Sequence, residues 1–222
     1  MSDTLKKVVS PKGVLEWVII TGEGKANLSG KLQYTANVVL DPKNIKEHAD
    51  WLAEVDAYWE ANKPKGFKGN AKSKGYYLHD LVLDAEGNPK LDEKGKKIYD
   101  ENGKVYVAFK TGTTFASGDS KVIKIFNAKA KRVELGETKI GNGSIGYLSG
   151  AMDIYTNRGP KGNLIDAGVT FYLDAIQLTK LVAYEGPDAG FKADEEVDDD
   201  AFMGVDDEFT GEAAAPAAAP RL

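Results

Sequence analysis

The sequence predicts a β-dominated barrel or sandwich carrying one substantial helix, and three observations carry that reading. Many short runs rich in β-branched and aromatic residues alternate in polarity with a period of two. Only one stretch, after Asp41-Pro42, repeats its apolar residues at three- and four-residue steps. The 24 glycines fall largely between the strand-like runs, where turns are needed.

Taken in order, VLEWVII and KLQYTANVVL are two strands separated by TGEGKANLSGK. In the second, Leu32, Tyr34, Ala36, Val38 and Leu40 alternate with Lys31, Gln33, Thr35, Asn37 and Val39, which marks a half-buried strand. Asp41 as N-cap and Pro42 at the first helical position predict a helix running to about Asn62. Ile45, Ala49, Leu52, Val55 and Trp59 form its apolar face. A basic Gly-rich loop comes next, with Lys63, Lys65, Lys68, Lys72 and Lys74. Residues 84–105 hold a small repeat whose units start at Asp84, Asp92 and Asp100. Asp opens a turn through its side chain and Gly supplies positive φ, so these are successive β-turns between short strands. The rival reading, calcium, needs the alternating carboxylates and closing Glu of an EF-hand, which the units lack. VYVAFKT (105–111), SKVIKIFNA (120–128), IGYLSGAMDIY (145–155) and the run 169–184 complete the strands.

Composition removes several function classes. With no cysteine there is no thiolate nucleophile, iron–sulfur cluster, disulfide scaffold or cysteine-ligated zinc. No apolar run approaches the ~18 residues of a membrane span, and MSDTLKKVV does not open like a leader peptide. The chain therefore reads as a soluble cytoplasmic protein that uses no cofactor or metal. The net charge of −5 is an average of two unlike parts. Residues 1–192 carry 28 Lys/Arg against 24 acids, whereas residues 193–222 carry 10 acids against Arg221 alone. A basic body is joined to an acidic, Ala/Pro-ending tail. High charge with few large apolar residues cannot offset ordering entropy, so 193–222 is expected to be disordered and 1–192 to be the domain.

Two phosphate-loop lookalikes fail on context. GNGSIG, with Gly141, Gly143 and Gly146, leads into a strand rather than a helix, and GKANLSGK lacks the Walker spacing. Both read as turns. His48 and His79 have no metal-binding spacing and are expected to be surface or half-buried, and no GxSxG elbow surrounds any serine. Catalysis finds no support.

A set of aromatic and basic residues on strands remains. Single strands of nucleic acid are held by a cationic groove along the phosphates and by rings on which bases stack. If Leu148, Met152 and Ile154 point inward, Tyr147 and Tyr155 share the opposite face, with Arg158 and Lys161 in the adjoining loop. Inward Val105, Val107 and Phe109 leave Tyr106 and Lys110 outward, and inward Ile123 and Ile125 leave Lys124 outward. NAKAKR adds Lys129, Lys131 and Arg132. Tyrosines are frequent in strands and lysines cover any soluble surface, so the pattern alone also fits an ordinary strand surface. The tail shifts the balance, because a tethered polyanion can occupy a cationic groove and be displaced by a polynucleotide.

The segment IGNGSIGYLSGAMDIYTN (140–157) and the closing run VTFYLDAIQLTKLVAY (169–184) resemble phage single-stranded DNA-binding proteins of the OB-fold type. So does the order of two strands, a helix after an Asp/Pro turn, further strands and an acidic tail. The resemblance implies an OB-fold-like barrel that binds single-stranded DNA without sequence choice in phage replication, recombination and repair, inside the infected host. Tyr155 matches the strand aromatic of the family's binding face, while Tyr147 rests on parity. The tail, through Asp198, Asp199, Asp200, Phe202, Asp206, Asp207, Glu208 and Phe209, is then expected to cover the groove and to contact phage or host replication proteins. The family's best-known members end in an acidic run closed by an aromatic. Here AAAPAAAPRL comes after the acids instead, and homodimerisation stays open. A structural or scaffolding phage protein, an RNA-binding OB module and, least favoured, an enzyme are the alternatives.

Overall fold

In chain order the strands are β1 (Lys6–Val9), β2 (Gly13–Ile19), β3 (Lys25–Ala26) and β4 (Leu32–Leu40), then the helix α1 (Lys46–Asn62). They continue as β5 (Tyr76–Leu78), β6 (Val105–Gly112), β7 (Lys124–Phe126), β8 (Arg132–Val133), β9 (Ser144–Arg158) and β10 (Leu164–Lys180). The computed structural model describes residues 5–184, apart from 28, 66, 68–73 and 85–87, together with Gly186. The chain divides into units Met1–Glu185 and Gly186–Leu222, and the expected acidic tail, 193–222, lies outside the described residues.

Five strands close on themselves. β2 pairs with β4, β4 with β6, β6 with β10, β10 with β9, and β9 returns to β2. The β6–β10 contact is parallel and the others are antiparallel. This is the mainly β, OB-like architecture with one helix, a small barrel whose interior is filled by side chains. β1 adds to β9, β5 to β6 and β7 to β10, so further strands flank the ring.

Alternation builds the interior. Tyr34, Ala36, Val38 and Leu40 of β4, Val105, Val107 and Phe109 of β6, and Leu148 and Met152 of β9 are buried. In β10 the buried residues switch from Val169, Phe171 and Leu173 to Ile176 and Leu178. A register shift between Leu173 and Ala175 accounts for the change of parity, because one extra residue turns every later side chain over. Phe171 is central: its ring lies 5.0 Å from Phe109 and stacks on Trp51 of α1 at 5.6 Å.

The long β9–β10 pair needs two glycines for their lack of a side chain. A Cβ at Gly146 would lie 2.1 Å from the Gln177 carbonyl oxygen, and one at Gly150 would lie 1.7 Å from that of Tyr172. The turn reading of GNGSIG is right for 141–143, after which β9 begins at Ser144.

The helix starts later than the Asp41-Pro42 signal implies. Asp41 Oδ1 accepts the Asn44 N–H at 3.1 Å and closes a separate turn, while the residue at the helix N-cap is Ile45, with extended backbone and no side-chain cap. Its buried face is His48, Leu52, Val55, Tyr58 and Trp59, with Ile45 exposed. His48 is thus more buried than the sequence suggests. Its Nδ1 accepts the Asp41 N–H at 2.8 Å, so Nε2 carries the hydrogen and donates to the Lys12 carbonyl at 2.9 Å. The Asp-led repeat behaves as turns. Asp92 Oδ1 accepts the N–H groups of Lys94 and Lys96, Asp100 Oδ1 accepts that of Asn102, and Gly95 and Gly103 have positive φ. The run 120–128 forms only the short β7, and β1, β3, β5 and β8 are strands that the periodicity did not reveal.

Candidate nucleic-acid interface

Because directly paired residues share a face of a sheet, the registers place the outer side chains in rows. One row runs from Tyr77 of β5 to Tyr106 of β6, Val39 of β4 and Val14 of β2. The Tyr77 and Tyr106 rings stack at 5.2 Å, 26° apart, and the His79 ring meets Tyr106 edge-on at 6.3 Å. Tyr155 of β9 lies close enough to Tyr77 for their electrostatic fields to couple. Tyr106 and Tyr155, distant in sequence, are therefore brought together through Tyr77.

A second row crosses five strands: Lys7 of β1, Ala151 of β9, Tyr172 of β10, Lys110 of β6 and Thr35 of β4. Lys110 points outward as expected, and Tyr172, 41% exposed, stands beside it. Asp153 approaches Tyr172 and brings negative charge to this part of the face. A third row places Lys124 beside Ala175 and Ser149, and a fourth joins Arg132, Phe126, Gln177 and Tyr147. Lys129 and Lys131 project from the turn between β7 and β8. Asn127 Oδ1 accepts both of their N–H groups, and Gln177 Nε2 donates to the Asn127 carbonyl at 3.2 Å. Ala130 at the tip takes a φ of 55°, a left-handed conformation usually left to glycine.

The parity of β9 is as expected: Tyr147 and Tyr155 share its outer face, but eight residues of strand separate them by about 26 Å. Tyr147 belongs with Lys124, Lys129, Lys131 and Arg132, whereas Tyr155 belongs with Tyr106. Arg158 and Lys161 lie beyond Tyr155 at the exposed β9–β10 hairpin, where Arg158 Nη1 donates to the Gly162 carbonyl at 3.0 Å. Nine of the ten residues thus fall into two groups and a hairpin tip, and Lys110 stands in the row of Tyr172.

Burial is the main reason that the phenol groups of Tyr106, Tyr155 and Tyr172 are held above the ordinary tyrosine range. Tyr77 and Asp166 add to the effect at Tyr155, Tyr77 and Tyr99 at Tyr106, and Asp153 at Tyr172.

Three exposed or half-exposed aromatic residues of the sheet, Tyr77, Tyr172 and Trp17, were not singled out from the sequence. Tyr172 could have been found by applying the period of two to 169–173. Tyr77 sits on a three-residue strand with no period to read, and Trp17 is displaced by a bulge. Among the described residues no group of three His, Asp or Glu is arranged to hold a metal ion, and no helix is long and apolar enough to cross a membrane.

Fold and face together define an OB-type barrel with aromatic rows flanked by lysine and arginine. The chain is similar in structure to phage single-stranded DNA-binding proteins. The gp2.5 single-stranded DNA-binding protein encoded by bacteriophage T7 matches at 17% identity over 86% of this chain and 100% of that one, with a TM-score of 0.43. The single-stranded DNA-binding protein from bacteriophage Enc34, solved in complex with single-stranded DNA, matches at 10% identity over 81% of this chain and 89% of its own, with a TM-score of 0.49. A C-terminal truncation of the Enc34 protein matches at 9% identity over 81% and 91% of the two chains, with a TM-score of 0.46. No family model and no curated protein matches the sequence.

Proposed function

We propose that this chain binds single-stranded DNA without sequence choice along the outer face of β9 and β10, as a non-catalytic protein of phage replication, recombination and repair. The observation that carries the reading is the convergence of Tyr155, Tyr77 and Tyr106 on a face also bearing Lys110 and Tyr172. Bases stack on Tyr106 and Tyr155 at one end and on Tyr147 at the other, each stack contributing about 1–3 kcal/mol. Lys110, Lys124, Lys129, Lys131, Arg132, Arg158 and Lys161 engage phosphates, which positions the strand without reading it. The domain is 1–192. The segment 193–222 competes for the face and recruits replication proteins through its acids and through Phe202 and Phe209. The protein works inside the infected bacterium.

Gel shifts with oligo-dT, duplex DNA and oligo-U at two salt concentrations test this. Preference for the DNA single strand is expected, with log K falling by about 0.7 per phosphate contact for each tenfold rise in salt. Equal affinity for duplex would sink it, and preference for oligo-U would move the reading to RNA, where the 2′-hydroxyl decides.

A further inference from the structure

β2 breaks its own register at Trp17. Pairing with β4 runs evenly from Val14 to Glu16 and then slips before Ile19, and within the slip Trp17 takes a φ of 51°. A bulky residue in the left-handed region is a true outlier, and it persists only where surrounding contacts hold it. The holding contacts come from the GNG turn. The Trp17 N–H donates to Asn142 Oδ1 at 2.8 Å, and the Gly143 N–H donates to the Leu15 carbonyl at 3.1 Å. The turn clamps the bulge on both sides.

The indole it presents is 62% exposed. A bulge that serves packing would turn such a ring inward, so strain maintained to expose it points to a ligand. Position indicates which kind. Glu16, next in the chain, places Oε2 3.0 Å from His79 Nε2, and the His79 ring lies against Tyr106. The slip falls between the rows of Ala108 and Lys110, two strand spacings or about 10 Å across the sheet from β6. Trp17 thus stands at the border of the aromatic and basic face.

We infer that Trp17 is a further base-stacking position, delivered to a single strand by the β2 bulge, and that Asn142 is the residue that positions it. The inference rests on the proposed single-strand binding and deepens it. An indole offers a larger ring than tyrosine to a base, and stacking tolerates any sequence. A nucleobase is favoured over a protein partner because the same sheet carries the Tyr77–Tyr106 ring pair on one side of the slip and Lys110 on the other.

Fluorescence titration of the full-length chain with oligo-dT, alongside gel shifts, is the test. DNA is expected to quench the emission of Trp17, since Trp59 is buried and Trp51 is half-buried against Phe171. Trp17→Phe should bind within a few-fold of the parent yet lose most of the quench. Trp17→Ala should bind about tenfold more weakly, with unchanged thermal melting. Asn142→Ala should reduce the quench at saturating DNA, and Asn142→Asp, which keeps the acceptor oxygen, should restore it. Should the parent bind DNA while Trp17→Ala binds equally well, or should Trp17→Phe keep the full quench, the inference is overturned and Trp17 passes to a protein partner. A parent chain that binds no single strand overturns the functional reading itself.

Discussion

His48 ties the helix to the barrel through two backbone groups, accepting from Asp41 and donating to Lys12. His48→Ala would leave both without their partner in a half-buried place, at a cost below the ~1–3 kcal/mol of a fully buried unsatisfied group. Chemical denaturation should show that loss as a lower midpoint, whereas an unchanged midpoint would mean that water replaces the ring. The tyrosines carry a separate expectation. Burial raises Tyr76, Tyr106, Tyr155 and Tyr172 above their unfolded value of about 10, so the folded state holds these protons more tightly than the unfolded chain. Their contribution is complete below about pH 10 and is lost as pH rises through the folded-state values. Thermal melting should therefore stay level in the neutral range and fall above about pH 10, with phenolate absorbance appearing late. Early phenolate formation in the folded protein would contradict it.

At the scale of elements, the β9–β10 pair is the spine of both fold and face. Its close approach at Gly146 and Gly150 is what brings Tyr147 level with Gln177 and Tyr172 level with Ala151. Gly150→Ala inserts a methyl against a backbone oxygen that cannot turn aside. Overpacking of this kind costs about 1–3 kcal/mol, and here it also shifts register. We expect a lower melting temperature together with weaker binding of oligo-dT, and a variant with parental melting would refute the packing account. The bulges of β2 and β10 act in the opposite sense. Each admits one extra residue and re-aims a side chain, Trp17 outward in one case and Ile176 inward in the other.

For the whole molecule, the decisive quantity is the separation of charge between a basic body and an acidic terminus. If residues 193–222 compete with DNA, deleting them should tighten oligo-dT binding several-fold, most strongly at low salt where screening is weakest. Gel shifts on the full and shortened chains decide it, and equal affinities at every salt concentration would remove the competition. The deletion should leave the melting of the barrel unchanged, because the interior from Leu15 to Leu178 is made by residues well before it.

Much of this was legible without coordinates because alternation is a local signal. The interior faces of β4, β6 and β9 come from a period of two, and so does the outward direction of Tyr106, Lys110, Lys124, Tyr147 and Tyr155. The polarity of the two parts of the chain is likewise a property of composition. The sequence could not show which outward residues become neighbours, since that depends on register between strands tens of residues apart. Tyr155 comes within electrostatic range of Tyr77 only because β5 lies against β6, and Tyr147 falls about 26 Å away from Tyr155 along one strand. Trp17 breaks the period itself, and only the GNG turn folded against β2 explains the conformation that exposes it. Periodicity assigns a side chain to a face, whereas closure of the barrel determines its neighbours on that face.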